Sequence, residues 1–378
     1  MRVEILSNDR ASFIKPMSEG LCRMLRDCGA DARLHYDGLM HLMLRQRPDI
    51  SSVRSLAGSA LRLNTSRRGF AAFLERLEGA DVIVVVANVP GSFSRGLMPN
   101  VELLRVRFPH VPIVNYDLHY LPTLDSWSRF LLKGEPTQLP PADLKLFEKG
   151  RFGLERYDWY LMASVGTEVP LPPGDHPYSL IGLDLDDGTL YPDQRGRFRA
   201  LLDFEQSRGA YPAFRKVQLD ALRMAGVEYE ALEGNYAIEK IRAIYRRTSI
   251  YFLASSEAFG LPICEVQACG ALVFTPDAYW PASHWLGDDY HVPREPRLSP
   301  NFVVYENDPE KLAEAIRGAA ARSDPSSVRA TFEKHQPWLL FGDRTAVQNF
   351  LDRLSTGEIH SQLHREHRGI GRPAAEPL

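Results

Sequence analysis

Short β-branched apolar runs alternate with stripes of helical period through the first half of the chain, and that alternation leaves few folds open. A run that is apolar on both faces has to be covered on both faces, as in a parallel sheet between two layers of helices. Val82 to Ala87 is such a run, and Val111 to Tyr116 repeats its character after a short helix. Arg2 to Leu6 reads as the opening strand. The helix after it places Met17, Leu21, Met24, Leu25 and Cys28 on one face and stops at Gly29. Arg33 to Tyr36 and Tyr160 to Ala163 are the other strands expected here, with a mixed helical stretch from Leu144 to Tyr157 before the last.

Prolines and glycines crowd Val169 to Gly188, which reads as an exposed connection. Beyond it the alternation restarts. The expected elements are strand Ala200 to Phe204, a helix with Phe214, Val217, Ala221, Met224 and Ala225 on one face, and strand Val227 to Ala231. A helix carrying Ile238, Ile241 and Tyr245 follows, then strand Ile250 to Ala254, a short helix Pro262 to Cys269 and strand Ala271 to Thr275. Asp308 before Pro309 marks a helix start, and Val347, Phe350, Leu351 and Leu354 form a last amphipathic stripe before Gly357. The fold class expected is α/β, with two Rossmann-like doubly wound domains facing a central cleft, where ligands meet the carboxyl ends of both sheets. The first domain is placed at residues 1–178, a linker at 179–190, the second domain at 191–340, a C-terminal helix at 341–356 and a flexible tail at 357–378.

Composition narrows the function classes. At 378 residues the chain suits two domains, and a net charge of −3 excludes a protein that is basic throughout. The Val82 to Ala87 run is far shorter than the ~20 residues of a membrane-spanning helix, so a cytoplasmic location is expected. The four cysteines, Cys22, Cys28, Cys264 and Cys269, form no Cys-x-x-Cys pair and read as reduced thiols.

The stretch that carries chemistry is SSEAFGLPICEVQACGALVFTP, from Ser255 to Pro276. Glu257 closes a strand, Gly260 permits a close approach, Pro262 suits a first helical turn, and Glu265 falls about one turn inside that helix. The backbone N–H groups of Phe259, Gly260 and Leu261 would lie at a helix N-terminus, an anion site suited to a diphosphate. Glu265 could accept hydrogen bonds from a ribose diol, and Glu257 from sugar hydroxyls.

Glu257 and Glu265 spell E-x7-E, and the stretch resembles the signature of the retaining GT-B glycosyltransferases of family four. The likeness extends upstream through AIEKIRAIYRRTSIYFLASSE and downstream through CGALVFTP; elsewhere it is one of layout, including a C-terminal helix that in such enzymes crosses back onto the first domain. The resemblance implies transfer of a sugar from a nucleoside diphosphate sugar, held by the second domain, to an acceptor held by the first. No cofactor or metal is implied. By that resemblance Glu265 holds the nucleotide ribose, Glu257 contacts the donor sugar, and Phe259, Gly260 and Leu261 face phosphate and sugar. VPIVNYDLHYL resembles the family strand that ends in histidine, which makes His119 the residue near the anomeric centre. Arg208 matches the family arginine for the diphosphate, whereas the family lysine falls on Phe214, with Arg215 and Lys216 next to it. The glycine-rich loop after the first strand is absent, since no glycine lies between Ser7 and Pro16.

Three further features read as neutral. Asp184-Leu185-Asp186 spells D-x-D but lies in the glycine-rich connection, so it is taken as linker rather than a metal site. His360, His364 and His367 have helical spacing in what reads as a tail. Between His41 and Phe70 six arginines, at 45, 47, 54, 62, 67 and 68, stand against Asp49 alone. That excess suits a solvated face, or else an anionic acceptor such as a glycan, a lipid-linked molecule or a nucleic acid, or peripheral membrane contact. The rival activities are a nucleotide-sugar epimerase or hydrolase on the same fold, and a non-catalytic nucleotide-sugar-binding protein.

Overall fold

The computed structural model describes residues 1–7, 14–43, 68–86, 101–118, 157–164, 177–193, 197–204, 211–234, 236–253, 259–277, 284–286 and 297–361. The first sheet holds β1 (Arg2–Leu6), β2 (Asp31–His35), β3 (Val82–Val86), β4 (Ile113–Asp117), β5 (Trp159–Met162) and β6 (Tyr178–Leu180). All its pairings are parallel, in the order β2-β1-β3-β4-β5-β6. Strand β3 lies inside, and its sequence VIVVV is buried at every position. Each such side chain contributes roughly 1.5–3 kcal/mol by leaving water. Helices α1 (Ile14–Asp27), α2 (Gly38–Met43), α3 at 68–76 and α4 (Glu102–Arg107) fall between these strands, and α1 buries Met17, Leu21, Met24 and Leu25. Strand β6 is an addition to the elements expected from the sequence: three half-buried residues on the sheet edge are too few to show a period.

The second sheet holds β7 (Arg199–Leu202), β8 (Glu228–Ala231), β9 (Ile250–Phe252) and β10 (Leu272–Pro276). After them come β11 (Trp285–Leu286) and β12 (Arg297–Leu298), an antiparallel pair, and β13 (Phe302–Tyr305). The sheet runs β13-β10-β9-β7-β8, parallel throughout. Its helices are α5 (Tyr211–Ala225), α6 (Ile238–Arg246), α7 (Leu261–Ala268), α8 (Pro309–Ala321), α9 (Pro325–His335) and α10 (Pro337–Leu340). Leu202, Ala221, Leu222, Ile250, Phe252, Phe274, Leu312 and Ile316 form one core that α5 and α8 share with the strands.

The described residues fall into two compact units. One comprises the chain up to Ala163, Tyr178 to Ile181 and everything from Asp343; the other runs from Gly182 to Gly342 and takes in Ser164. In the first unit α11 (Arg344–Ser355) packs on α1 and β6 with Val347 and Phe350 fully buried. Arg344 there donates two hydrogen bonds to Asp27, at 2.9 and 2.7 Å.

Two expectations need correction. The segment after β6 is packed rather than exposed: Ile181, Leu183, Leu185 and Leu190 are buried, and the Leu183 and Leu185 amides donate to the Trp338 and Leu340 carbonyls. Ile181, Leu183 and Leu185 alternate as in an extended segment, a period that the surrounding glycines and prolines mask in the sequence. Gly182 is required there, because at φ 72° a Cβ would lie 2.1 Å from the Trp338 carbonyl oxygen. The chain beyond 357 also begins packed, with Ile359 and Ser361 buried and the Ser361 hydroxyl donating to the Pro109 carbonyl. Among the described residues no helix is long and apolar enough to cross a membrane.

Candidate functional site

The order of the second sheet reverses direction between β7 and β9, which pair through Ala200 with Ile250 and Leu202 with Phe252. Loops leaving the carboxyl ends of two such strands part to opposite sides and open a crevice, the usual ligand position in open α/β sheets. The loop after β7 carries Arg208 and the loop after β9 carries Glu257; both residues lie outside the described ones.

The chain re-enters at Phe259, half-buried, and Gly260 is the N-cap of α7 with φ −122° and no side chain to close the helix end. Leu261 and Pro262 begin the helix, one residue earlier than expected. Proline brings no N–H, so the open amides of this end are those at the turn itself. The Phe259 ring stacks on His284, with centroids 6.2 Å apart. His284 is fully buried, its Nδ1 lies 3.1 Å from Gln336 Oε1, and burial pushes its pKa down to about 4.

Glu265 lies in the second turn of α7 and is buried. Arg242, reaching from α6, donates to its Oε1 from Nε at 2.9 Å, and its Nη2 lies 2.8 Å from the same oxygen as an ion pair. The third arm of the guanidinium, Nη1, pairs with Asp187 and donates to Thr189 Oγ1 at 2.8 Å. Burial pushes the Glu265 carboxyl above its ordinary range, against the pull of Arg242. Asp187 is held low, against its partial desolvation, by its hydrogen bonds from Thr189 and Arg242. Among the described residues the Arg242 hydrogen bond and ion-pair contact both fall on Oε1, which leaves the lone pairs of Oε2 for another donor.

On α5, Arg215 is buried and donates to the Asp203 carbonyl just past β7, while Lys216 beside it is exposed. Successive helical residues point about 100° apart, so the two cations cannot share one target at the crevice. Gln218, one turn further, is fully buried; its Nε2 donates to the Leu253 carbonyl (2.9 Å) and to the Tyr305 hydroxyl (2.8 Å). It thus fixes the chain where it leaves β9 toward Glu257. In the first unit β4 ends at buried Asp117, whose Oδ1 accepts from the Leu118 amide at 2.7 Å, and His119 lies outside the described residues.

The structure therefore brings Gly260, Leu261, Phe259 and Glu265 together at one helix, and places Arg215 at the neighbouring strand end. Arg242 and Gln218 were missed from the sequence, although each is a polar residue on the apolar face of an amphipathic helix. Ile238, Arg242 and Tyr245 share one face, as do Phe214, Gln218 and Ala221. In the D-x-D stretch, Asp186 pairs with Arg329 at 3.1 Å, and Asp184 is buried and bridges to Phe341. His360 Nδ1 lies 2.7 Å from the Gly357 carbonyl, whereas His364, His367 and the arginines from 45 to 67 lie outside the described residues.

No protein-family model matches the chain, and no curated protein matches it. Among solved structures, sucrose-phosphate synthase from Thermosynechococcus elongatus superposes with a TM-score of 0.51 at 13% identity, over 95% of this chain and 99% of that one. An apo structure of OtsA gives a TM-score of 0.49 at 10% identity, over 94% of this chain and 99% of the other. The likeness to the synthase is one of fold: this chain has the GT-B architecture, built from two Rossmann-like units with parallel sheets.

Proposed function

We propose that the protein is a glycosyltransferase that takes a sugar from a nucleoside diphosphate sugar with retention of anomeric configuration. Fold alone does not name a chemistry. The observation that carries the reading is the motif helix α7: its N-terminus has no side-chain cap beside the β7/β9 switch point, and Glu265 keeps one carboxylate oxygen for a ligand. The helix end suits a diphosphate, because its amide donors and the positive end of its dipole both favour negative charge. Glu265 Oε2 suits a ribose hydroxyl, and Glu257 the donor sugar.

In this reading the bond between the anomeric carbon and the diphosphate oxygen breaks as negative charge grows on the departing phosphate. Amides preorganised at the helix end stabilise that charge, together with Arg208 and Arg215. The acceptor hydroxyl attacks from the same face and passes its proton to the departing phosphate oxygen, so no metal is needed to balance the step. His119 would lie near the anomeric centre, and the acceptor would be held by the first unit. An anionic acceptor would be drawn by the arginines between 45 and 68.

The test is a thermal-shift panel of UDP-, GDP- and ADP-sugars, in which ligand at 100 times its dissociation constant should add about 2.7 kcal/mol of stability. Glu265→Gln should weaken binding of the matching bare nucleoside diphosphate by roughly tenfold or more, the equivalent of one charge-assisted hydrogen bond. Unchanged affinity removes Glu265 from the site. Free sugar or epimer formed from donor alone would favour a hydrolase or epimerase instead.

A further inference from the structure

We propose that Arg242 is a positioning residue for the Glu265 carboxylate, holding it charged so that Oε2 can accept from the nucleotide ribose. The inference rests on the reading of Glu265 as the ribose ligand. Three arms of one guanidinium are committed: Nε and Nη2 to Glu265 Oε1 at 2.9 and 2.8 Å, and Nη1 to Asp187 and Thr189 Oγ1. Arg242 is itself buried, so its rotamer is set by packing as well as by these bonds. Asp187 is fixed in turn, since the Thr189 amide and hydroxyl donate to its Oδ1 at 3.0 and 2.7 Å. Thr189 is held from the other side by Arg246, which donates to its carbonyl at 3.0 Å. A guanidinium engaged on all three nitrogens keeps its positive charge fixed beside the carboxylate.

The arrangement also explains how a buried carboxylate can serve as a hydrogen-bond acceptor for a diol. Burial favours its neutral form, and a protonated Glu265 would offer a proton where lone pairs are required. The charged and titratable groups around it are Arg242 from α6, Asp187 from the segment before β7 and Cys269 at the end of α7, with Arg246 and Arg329 further out. Among the described residues Arg242 is the cation in contact. Without it, Asp187 would face Glu265 uncompensated and drive the proton on more firmly.

The experiment titrates binding of the nucleoside diphosphate selected by the panel above, by calorimetry between pH 5.5 and 9. Wild type, Arg242→Met, Arg242→Lys and Arg242→Met with Glu265→Gln are compared, each checked for folding by circular dichroism. Arg242→Met should bind with a dissociation constant that rises about tenfold per pH unit below a midpoint well above that of wild type, approaching wild-type affinity at high pH. Arg242→Lys should move that midpoint back toward wild type, and the double variant should keep only the titration of the ligand's own terminal phosphate, at about pH 6, because glutamine does not titrate. Uniform loss at every pH, or the same pH profile in wild type and Arg242→Met, overturns the proposal by reducing Arg242 to a structural residue. Failure of the wild type to bind any nucleoside diphosphate overturns the ribose reading itself. Where Arg242→Met fails to fold, the lysine variant decides alone: a midpoint at the wild-type value with affinity intact supports a role through charge, and pH-independent loss overturns it.

Discussion

Glu265 and Arg242 form a buried ion pair, and such a pair is justified less by stability than by what it holds in place. Removing one partner leaves a bare charge and typically costs 3–5 kcal/mol, whereas replacing both by apolar groups can be neutral. Glycines carry a different demand. Gly270, which follows α7, has φ 84°, and a Cβ there would lie 2.6 Å from both the Pro325 Cβ and the Pro325 carbonyl oxygen. Gly270→Ala should therefore destabilise the second unit by about 1–3 kcal/mol or more, read as a lower urea midpoint with unchanged slope. Gly226, also at positive φ but with open space around it, should tolerate alanine better.

At the level of elements, three helices start in one way. Asp308, Asp324 and Asp343 are each N-caps whose carboxylate accepts from backbone amides of the following turn, and the first two are followed by proline. This capping was legible for Asp308 from its Asp-Pro pair. Asp308→Ala should lower stability by roughly 0.5–2 kcal/mol and Asp308→Asn by much less, measured by denaturant unfolding. Helices α6, α7 and α10 start without a side-chain cap, and at α7 the cap residue is Gly260, which provides no side-chain oxygen. Strands β3, β4, β5, β9 and β10 match the expected runs to within a few residues, because β-branched apolar sequence has little alternative in a parallel sheet.

Across the whole molecule, acid should weaken each unit through a different buried group. In the second unit, His284 has a pKa depressed from 6.5 to about 4 by burial. The unfolded chain then binds a proton that the folded one refuses, so stability is full above pH 6.5 and falls as the pH drops toward 4, by about 3 kcal/mol in all. In the first unit, Glu4 sits buried on β1 against His35 at 2.5 Å and beside Arg2, and despite burial these partners hold its pKa below 4.5. Its contribution is present above pH 4.5 and is lost only below it. Denaturant unfolding from pH 7 to 4 should thus show a decline that His284→Gln flattens and Glu4→Gln does not.

Periodicity along the chain was enough to determine two doubly wound units and the helix that carries the motif, because local apolar spacing dictates which face is buried and glycine and proline mark the ends. Glu265 was legible for the same reason, as part of a short contiguous pattern. Arg242, Asp187 and Gln218 were not, since their partners lie 23, 55 and 35 residues away and no local rule connects them. The packed state of residues 181–185, of Leu190 and of Ile359 was decided only by tertiary contact, as where the Leu183 and Leu185 amides found the carbonyls of Trp338 and Leu340. Composition records which residues can be buried; only the folded chain records which distant charge, carbonyl or ring each one meets.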